Sequence, residues 1–256
     1  MRGGPGLGNI QPSQGDYFQV TRSAGHGDYH PIVLAPASVQ EAIDLTVKAF
    51  ELADKYRHIV MVVADGLIGQ MMEPAELPPM HELRPHPAAE QWALTGAKGR
   101  ARNVVSSLYL GAESCEGLNK RLQARLETIR EAEQRHYEAL TEDAELVVIA
   151  YGTVGRICES VIHRARAAGL KAGLLRPVTL WPFPEQRISE LADEVRAFLV
   201  VEMNAGQMVE DVRLAAGGQV PVEFYGRMGG VVPMPEEIYD AIANLFQKFE
   251  KISAGA

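Results

Sequence analysis

The sequence has 256 residues, of which 46% are hydrophobic and 23% charged, and a net charge of −8. This composition predicts a globular protein with a sizeable core, in one or two domains. The negative balance argues against a nucleic-acid or anionic-membrane surface, because phosphates are bound by basic faces. No apolar run reaches the roughly 18 residues of a membrane span, and the opening residues lack a secretory pattern. We expect a cytoplasmic protein whose partner is a protein or a small molecule.

Metal-ligating residue types are sparse and badly spaced. Cys115 and Cys158 form no C-x-x-C pair, so neither a disulfide framework nor a cysteine-ligated cluster can be built from this chain alone. His81, Glu82 and His86 have the wrong spacing for a zinc-protease motif, and a proline between them prevents the helix that the motif needs. We therefore predict no metal site, and expect any iron–sulfur cluster to be held by a partner.

The first regular elements along the chain form a strand–helix–strand pattern. The apolar run 31–36 lies between prolines and predicts a buried strand. Ser38 and Glu41 have capping-box spacing and start a helix. Apolar residues recur along that helix at Ile43, Val47 and Phe50. The run 59–65 predicts a second buried strand, and such a βαβ unit implies a parallel sheet.

The middle of the chain has a different character. Residues 73–102 are rich in proline, so no strand is expected there, and the segment reads as a linker or a surface excursion. Residues 118–140 predict a connecting helix with one buried side. Its apolar stripe is Leu118, Leu122, Leu126 and Ile129.

From Ala144 onward, strands and helices alternate. We predict strands over 145–152, 172–180, 198–204 and 222–227. We predict helices over 156–168, from Pro184, over 207–216, and at the C-terminus with Ile238, Ile242, Leu245 and Phe249 on one face. This alternation is typical of a doubly wound α/β domain, whereas the first βαβ unit is too short to be a complete domain.

Two glycine-rich stretches are candidate nucleotide sites. The opening stretch Gly4–Asn9, GPGLGN, does not match G-x-G-x-x-G and follows no strand, which favours a tight turn. The stretch Gly152–Gly155 follows a strand and opens a helix whose N-terminus could hold an anion. Because most βα turns of doubly wound domains look similar, the structural interpretation is favoured there too.

Charged residues beside glycines are further candidates. His26 and Asp28 could act as an acid–base pair, although an aspartate that orients a histidine is also common structural chemistry. Arg2 stands directly before Gly3 and Gly4. Such glycines let a ligand approach the backbone while the guanidinium binds a carboxylate at two points. By itself, however, an arginine in this position is more often part of a surface ion pair.

Several segments resemble the alpha subunit of the 2-oxoacid:ferredoxin oxidoreductases, particularly the branched-chain (3-methyl-2-oxobutanoate) type. They are residues 1–18, 25–42, 60–74 and 226–238. The resemblance implies an α/β fold in which part of a pyrimidine-type thiamine diphosphate-binding domain precedes a doubly wound transketolase C-terminal-like domain. It assigns residues 1–80 to the first domain, 81–143 to the linker and connecting helix, and 144–256 to the second.

The resemblance also implies an activity: CoA-dependent oxidative decarboxylation of a 2-oxoacid, giving an acyl-CoA, carbon dioxide and reduced ferredoxin. Thiamine diphosphate would carry the difficult step. Its diphosphate and Mg²⁺ are expected on, or shared with, a beta subunit. Iron–sulfur clusters are expected on partner chains, coenzyme A as the co-substrate, and gamma, ferredoxin-like and ferredoxin partners around them.

The family's R-G-G-P motif places a substrate-carboxylate ligand at Arg2, followed by Gly3 and Gly4. The family's upstream Y-P-I-T-P segment and its activating glutamate do not occur in this sequence, so we expect the chain alone to be inactive. The alternatives are a 2-oxoglutarate- or pyruvate-specific member, a non-catalytic assembly module, and a free-standing nucleotide binder.

Overall fold

The computed structural model describes residues 1–22, 25–79 and 87–254. The N-terminal part builds a three-stranded sheet in the order β2-β1-β6. Its strands are β1 (Ile32–Leu34), β2 (Val60–Val62) and β6 (Thr179–Trp181). Strands β1 and β2 are parallel, which confirms the predicted βαβ unit. Strand β6 comes from the C-terminal half and pairs antiparallel with β1, so the first sheet is completed by distant sequence.

A short helix, α1 (Tyr17–Thr21), precedes β1. Helix α2 (Val39–Tyr56) connects β1 and β2 and begins as predicted. The Ser38 hydroxyl accepts the Glu41 backbone N–H at 3.1 Å. The reciprocal half of the capping box is missing, because the Glu41 carboxylate accepts the N–H of Ala37 and pairs with Arg176 of the next sheet. Two residues of the predicted apolar stripe do not face the core, because Val47 is 42% and Phe50 74% exposed. The helix instead packs through Leu52, which is buried, and through Leu45 and Ala49.

The connecting helix α3 (Ala112–Ala132) ends earlier than predicted. Leu126 and Ile129 of the apolar stripe are buried, but residues 133–140 do not continue the helix. Glu133 is buried at its end and binds Lys55 and Tyr56 of α2. The chain then forms strand β3 (His136–Ala139), which pairs antiparallel with the segment Leu174–Pro177 and is an edge strand of the second sheet.

The second sheet has five strands in the order β3-β5-β4-β7-β8. The remaining strands are β4 (Leu146–Ile149), β5 (Ala172–Pro177), β7 (Ala197–Glu202) and β8 (Val222–Gly226). The helices around it are α4 (Gly152–Ala167), α5 (Glu185–Ala192), α6 (Met208–Ala216) and α7 (Pro235–Ala254). Apart from β3 the pairings are parallel, which confirms the doubly wound α/β expectation.

Alternate residues of β4 serve two different cores. Leu146 and Val148 pack with α4 and α7 on one face. Val147 and Ile149 join the core that contains α5, α6 and strand β1 of the first sheet. This alternation follows from the period of two along a strand, and it binds the two sheets into one packed unit.

Two predicted boundaries in this region are wrong. The run 172–180 is not one strand: it divides at Val178 into β5 and β6, which lie in different sheets. Helix α4 begins at Gly152 rather than Arg156, because an acidic side chain from elsewhere in the chain caps its first turn.

The described parts of the proline-rich region, 73–79 and 87–102, contain a short 3-10 turn (Pro87–Gln91) and no strand, as predicted. His81, Glu82 and His86 lie outside the described residues. Cys115 lies on α3 and Cys158 is buried on α4, where burial raises the pKa of its thiol. Of the helices that the structure describes, none is long and apolar enough to cross a membrane.

Candidate functional site

The glycine-rich opening forms a closed loop beside the end of β2. The Gly3 N–H donates to the Gln11 carbonyl at 2.8 Å, and Arg2 and Pro12 form an antiparallel bridge. The Gly66 N–H, just after β2, donates to the Met1 carbonyl at 3.0 Å. Residues 2–12 therefore make a loop, which we call the Arg2 loop, with its base anchored to the first sheet.

Glycine is required at two points of the Arg2 loop. A Cβ at Gly3 would lie 2.5 Å from Asn9 Oδ1. Gly8 has φ +55°, and a Cβ there would overlap the Gly3 carbonyl oxygen. Side chains at these positions would open the loop, since neither the backbone conformation nor the space accommodates them.

Arg2 is held by the loop that carries it. Its Nη1 donates to the carbonyl oxygens of Leu7 and Asn9, the latter at 3.3 Å. The Nε and Nη2 edge has no hydrogen-bond partner among the described residues, and the side chain is exposed. An arginine held through one nitrogen presents the opposite edge of its guanidinium, with which it binds a carboxylate at two points.

The Arg2 loop contacts a turn from the far end of the chain. Asn9 Nδ2 donates to the Gly229 carbonyl at 2.8 Å. Gly230 follows with φ +101°, and a Cβ there would lie 2.5 Å from Gln11 Cβ. Two of the segments that carry the family resemblance, 1–18 and 226–238, thus meet in space.

Both segments that make this contact carry large apolar side chains that are exposed. They are Leu7, Ile10, Met228, Val231 and Met234. Exposed apolar side chains grouped beside a polar ligand-binding group are typical of a surface that another molecule covers.

At the second glycine stretch, Gly152–Gly155, the N-terminus of the helix is already occupied by a side-chain carboxylate of this chain. Asp65, which follows β2, accepts the Thr153 N–H at 3.2 Å and the Thr153 hydroxyl at 2.8 Å. Gly152 has φ +57°, and a Cβ there would lie 3.2 Å from Asp65 Oδ2. The stretch is therefore a structural turn between strand and helix, as the sequence favoured, rather than a nucleotide site.

A second buried carboxylate has the same role at α6. Glu202, at the end of β7, accepts the N–H groups of Met208 and Val209 at 2.8 and 3.0 Å. Burial raises the pKa of its carboxyl, although these hydrogen bonds oppose the shift. Sequence reasoning missed Asp65, Glu202 and Asn9. For the two acids a signal existed, because each directly follows an apolar strand run.

His26 and Asp28 line a cavity of about 780 Å³, together with Arg57 and Trp92. No hydrogen bond or ion pair joins the His26 and Asp28 side chains, although both residues lie within the described part of the chain. The Arg57 guanidinium lies over the Trp92 ring, 5.4 Å from its centroid. The structure therefore does not form the acid–base pair that the sequence suggested as one alternative.

Two family models match this chain. Residues 1–124 match "Pyruvate flavodoxin/ferredoxin oxidoreductase, thiamine diP-bdg", and residues 144–238 match "Pyruvate:ferredoxin oxidoreductase core domain II". A solved 2-oxoglutarate:ferredoxin oxidoreductase from Magnetococcus marinus, with 2-oxoglutarate, coenzyme A and succinyl-CoA bound, has the same fold. Its TM-score is 0.77 at 21% identity, covering 95% of this chain and 47% of that one.

Curated relatives are more similar in sequence. Ketoisovalerate oxidoreductase subunit VorB of Methanothermobacter thermautotrophicus is 50% identical to this chain over 90% of its residues. The matched part covers 64% of the length of that protein. The 2-oxoglutarate synthase subunit KorA of the same organism is 37% identical over 96% of this chain, which spans 72% of its length.

Proposed function

Because the chain belongs to the 2-oxoacid:ferredoxin oxidoreductase family, as an alpha-type subunit, we propose that it binds the 2-oxoacid carboxylate in such an enzyme. The enzyme would convert a 2-oxoacid and coenzyme A into an acyl-CoA and carbon dioxide, with the released electrons passing to ferredoxin.

The observation that carries this proposal is the orientation of Arg2. Its Nη1 is held by two backbone carbonyls, and its Nε and Nη2 edge faces no acceptor in the described part of the chain. A 2-oxoacid always carries a carboxylate, whatever its side chain. A fixed guanidinium edge is suited to that common group, and charge-assisted bidentate pairs are among the stronger hydrogen bonds in proteins.

We propose a branched-chain 2-oxoacid as the substrate. The support is the degree of similarity: identity to the VorB relative is 50%, against 37% to the KorA relative of the same organism. The exposed apolar side chains around the Arg2 loop are compatible with an aliphatic substrate. A 2-oxoglutarate- or pyruvate-specific enzyme is the alternative that a substrate panel would reveal.

Thiamine diphosphate supplies the carbanion chemistry in this family when it is bound. The buried N-termini of α4 and α6, which could hold an anion, are filled by Asp65 and Glu202. The described residues contain no group of three or more His, Cys, Asp or Glu able to hold a metal. We therefore propose that a beta subunit holds the diphosphate and Mg²⁺.

The remaining components are proposed on partner chains. Iron–sulfur clusters would lie on gamma or ferredoxin-like subunits, and ferredoxin would accept the electrons. The apolar side chains exposed around the Arg2 loop support a subunit contact next to the substrate, because such a surface is unfavourable in water. The alternative is a non-catalytic assembly module that keeps this contact and has lost the chemistry.

The test is anaerobic reduction of a viologen dye by the complex purified around this chain, with coenzyme A and a panel of 2-oxoacids. Replacing Arg2 with alanine should raise KM about 10- to 100-fold, since a charge-assisted hydrogen bond contributes about 1.5–3 kcal/mol. Arg2→Lys keeps the charge but not the two-point edge, and should recover only part of the loss.

Arg130→Ala is the matched control, because Arg130 is an exposed arginine on α3 paired with Glu127 at 3.4 Å. It should leave KM unchanged. If no 2-oxoacid supports reduction by the complete complex, the assembly-module alternative replaces this proposal. If reduction occurs but Arg2→Ala behaves like Arg130→Ala, the carboxylate is bound elsewhere.

A further inference from the structure

Asn9 uses all of its polar groups within the site. Its backbone N–H donates to the Gly3 carbonyl at 2.9 Å, and its carbonyl accepts Arg2 Nη1 at 3.3 Å. Its side-chain Oδ1 accepts the Gln11 N–H at 3.0 Å, and Nδ2 donates to the Gly229 carbonyl at 2.8 Å. One residue thus contacts the arginine, both sides of the loop, and the C-terminal segment.

Of these bonds, the one from Nδ2 leaves the Arg2 loop. It spans 220 positions of sequence and joins the loop to the Gly229–Gly230 turn. The turn can approach this closely because Gly230 lacks a side chain: a Cβ there would lie 2.9 Å from Asn9 Oδ1. The contact gives the loop a second attachment, in addition to the anchor formed by Gly66 after β2.

We propose that Asn9 is a positioning residue for the 2-oxoacid carboxylate. It holds the Arg2 loop on the Gly229–Gly230 turn, and thereby fixes the guanidinium edge that Arg2 presents. The C-terminal segment then contributes to substrate affinity without touching the substrate. This inference rests on the proposed function of Arg2 and adds the residue that orients it.

Asparagine is suited to this position because it offers both a donor and an acceptor. Aspartate would keep the acceptor for the Gln11 N–H but would face the Gly229 carbonyl with a second oxygen. Repulsion between the two oxygens would release the turn. Alanine would remove both contacts and leave the loop held by its backbone bonds alone.

The test measures 2-oxoacid kinetics of the assembled complex with Asn9→Ala and Asn9→Asp. Both variants lose the hydrogen bond from Nδ2 to Gly229, which should raise KM by at least about 3- to 10-fold while kcat stays within about twofold, since Asn9 does not contact the reacting atoms. Gly230→Ala should likewise raise KM with little change in kcat, because its Cβ would push the turn away from Gln11 and Asn9.

Asn119→Ala is the matched control. Asn119 donates from Nδ2 to the Cys115 carbonyl at 3.0 Å within α3, so it makes the same kind of bond without touching the Arg2 loop. It should leave KM unchanged. A wild-type KM in both Asn9 variants, or an equal loss of kcat and kcat/KM, would overturn the positioning role.

Hydrogen exchange separates this inference from the proposed function. In Asn9→Ala, the Gly3 amide, which is bonded to the Gln11 carbonyl, should exchange about 3- to 10-fold faster than in wild type, since the loop opens more often. Unchanged exchange would show that Asn9 does not hold the loop. Absence of 2-oxoacid-dependent reduction in wild type would refute the proposed function of Arg2, while the exchange rates would still decide whether Asn9 fixes the loop.

Discussion

Replacing Asp65 with alanine is expected to weaken the junction between the two sheets. Asp65 follows β2 of the first sheet and caps α4 of the second. Its side chain accepts the Thr153 N–H and hydroxyl, and also the Leu67 N–H at 2.9 Å. The residue is only 3% exposed, so water cannot readily replace the lost acceptor.

The magnitude follows from the bonds that are lost. Loss of a helix N-cap costs about 1 kcal/mol, with a range of about 0.5–2. A buried donor without an acceptor costs a further 1–3 kcal/mol or so, and the Thr153 hydroxyl becomes such a donor. We therefore expect Asp65→Ala to lower the free energy of unfolding by about 3 kcal/mol. For a domain of about 150–250 residues this corresponds to a decrease in Tm of about 6–12 °C.

Urea and thermal unfolding of the purified chain measure this effect. The matched control is Asp143→Ala, because Asp143 is 61% exposed in its side chain and pairs with Arg166 at 2.7 Å. Loss of the exposed Asp143 carboxylate should cost at most about 1 kcal/mol, because Arg166 keeps its bonds to the Ala172 and Leu140 carbonyls. Combining Asp65→Ala with Thr153→Val should show coupling of about 1 kcal/mol or more. If Asp65→Ala costs no more than Asp143→Ala, or if the two sites are additive, the inter-sheet cap is not a major stabilising contact.

Two further predictions concern pH dependence and ligand approach. Arg187, which donates to Glu138 at 2.7 and 3.0 Å, lowers the pKa of that carboxyl despite partial burial. A lowered pKa stabilises the fold above the ordinary glutamate value of about 4.3, and that stability is lost as the pH falls through the lowered pKa. Glu138→Gln should therefore be less stable than wild type at pH 7 and converge with it in acid, as measured by urea unfolding from pH 7 to 3; parallel curves would contradict this. Apart from its two neighbours in sequence, no described residue has an atom within 4 Å of a Cβ at Gly4, so Gly4→Ala should keep the wild-type Tm to within a degree or so. It should nevertheless raise KM several-fold if the substrate approaches the backbone there, and an unchanged KM would remove Gly4 from the site.

Most helices and strands could be predicted because the residues within each element, rather than distant contacts, determine its conformation. Strands β1, β4 and β7 are continuous apolar runs, and the final helix has Ile238, Ile242, Leu245 and Phe249 buried on one face as its spacing predicts. The failures occur where tertiary contacts override propensity. Residues 133–140 look helical, yet Glu133 is bound at the end of α3 by Lys55 and Tyr56, and the next residues pair with β5.

The division of the run 172–180 has the same kind of cause. Nothing in its composition marks Val178 as a boundary, but its two halves pair with different sheets. The boundaries that the resemblance implies, at residues 80 and 143, remain a prediction. Strand β6 nevertheless lies in the second segment and pairs with β1 of the first.

The candidate site was predictable in part. The residue types of the Arg2 loop point to close backbone approach and to a carboxylate ligand. Its contact with the Gly229–Gly230 turn could not be derived, because hydrogen-bond partners 220 positions apart leave no local pattern. For Asp65, the position directly after an apolar run is visible in the sequence, but its partner is not, because the helix that it caps lies 88 positions further along the chain.

The way this chain uses its carboxylates indicates which anion it can bind. A helix N-terminus favours phosphate because its N–H groups and dipole point outward. Here Asp65 and Glu202 accept those N–H groups at α4 and α6, so both termini serve to join parts of the fold. Arg2, in contrast, keeps one guanidinium edge without a partner among the described residues. Arg2 is therefore suited to a small planar carboxylate, and the two filled termini support our proposal that another chain holds the diphosphate of the cofactor.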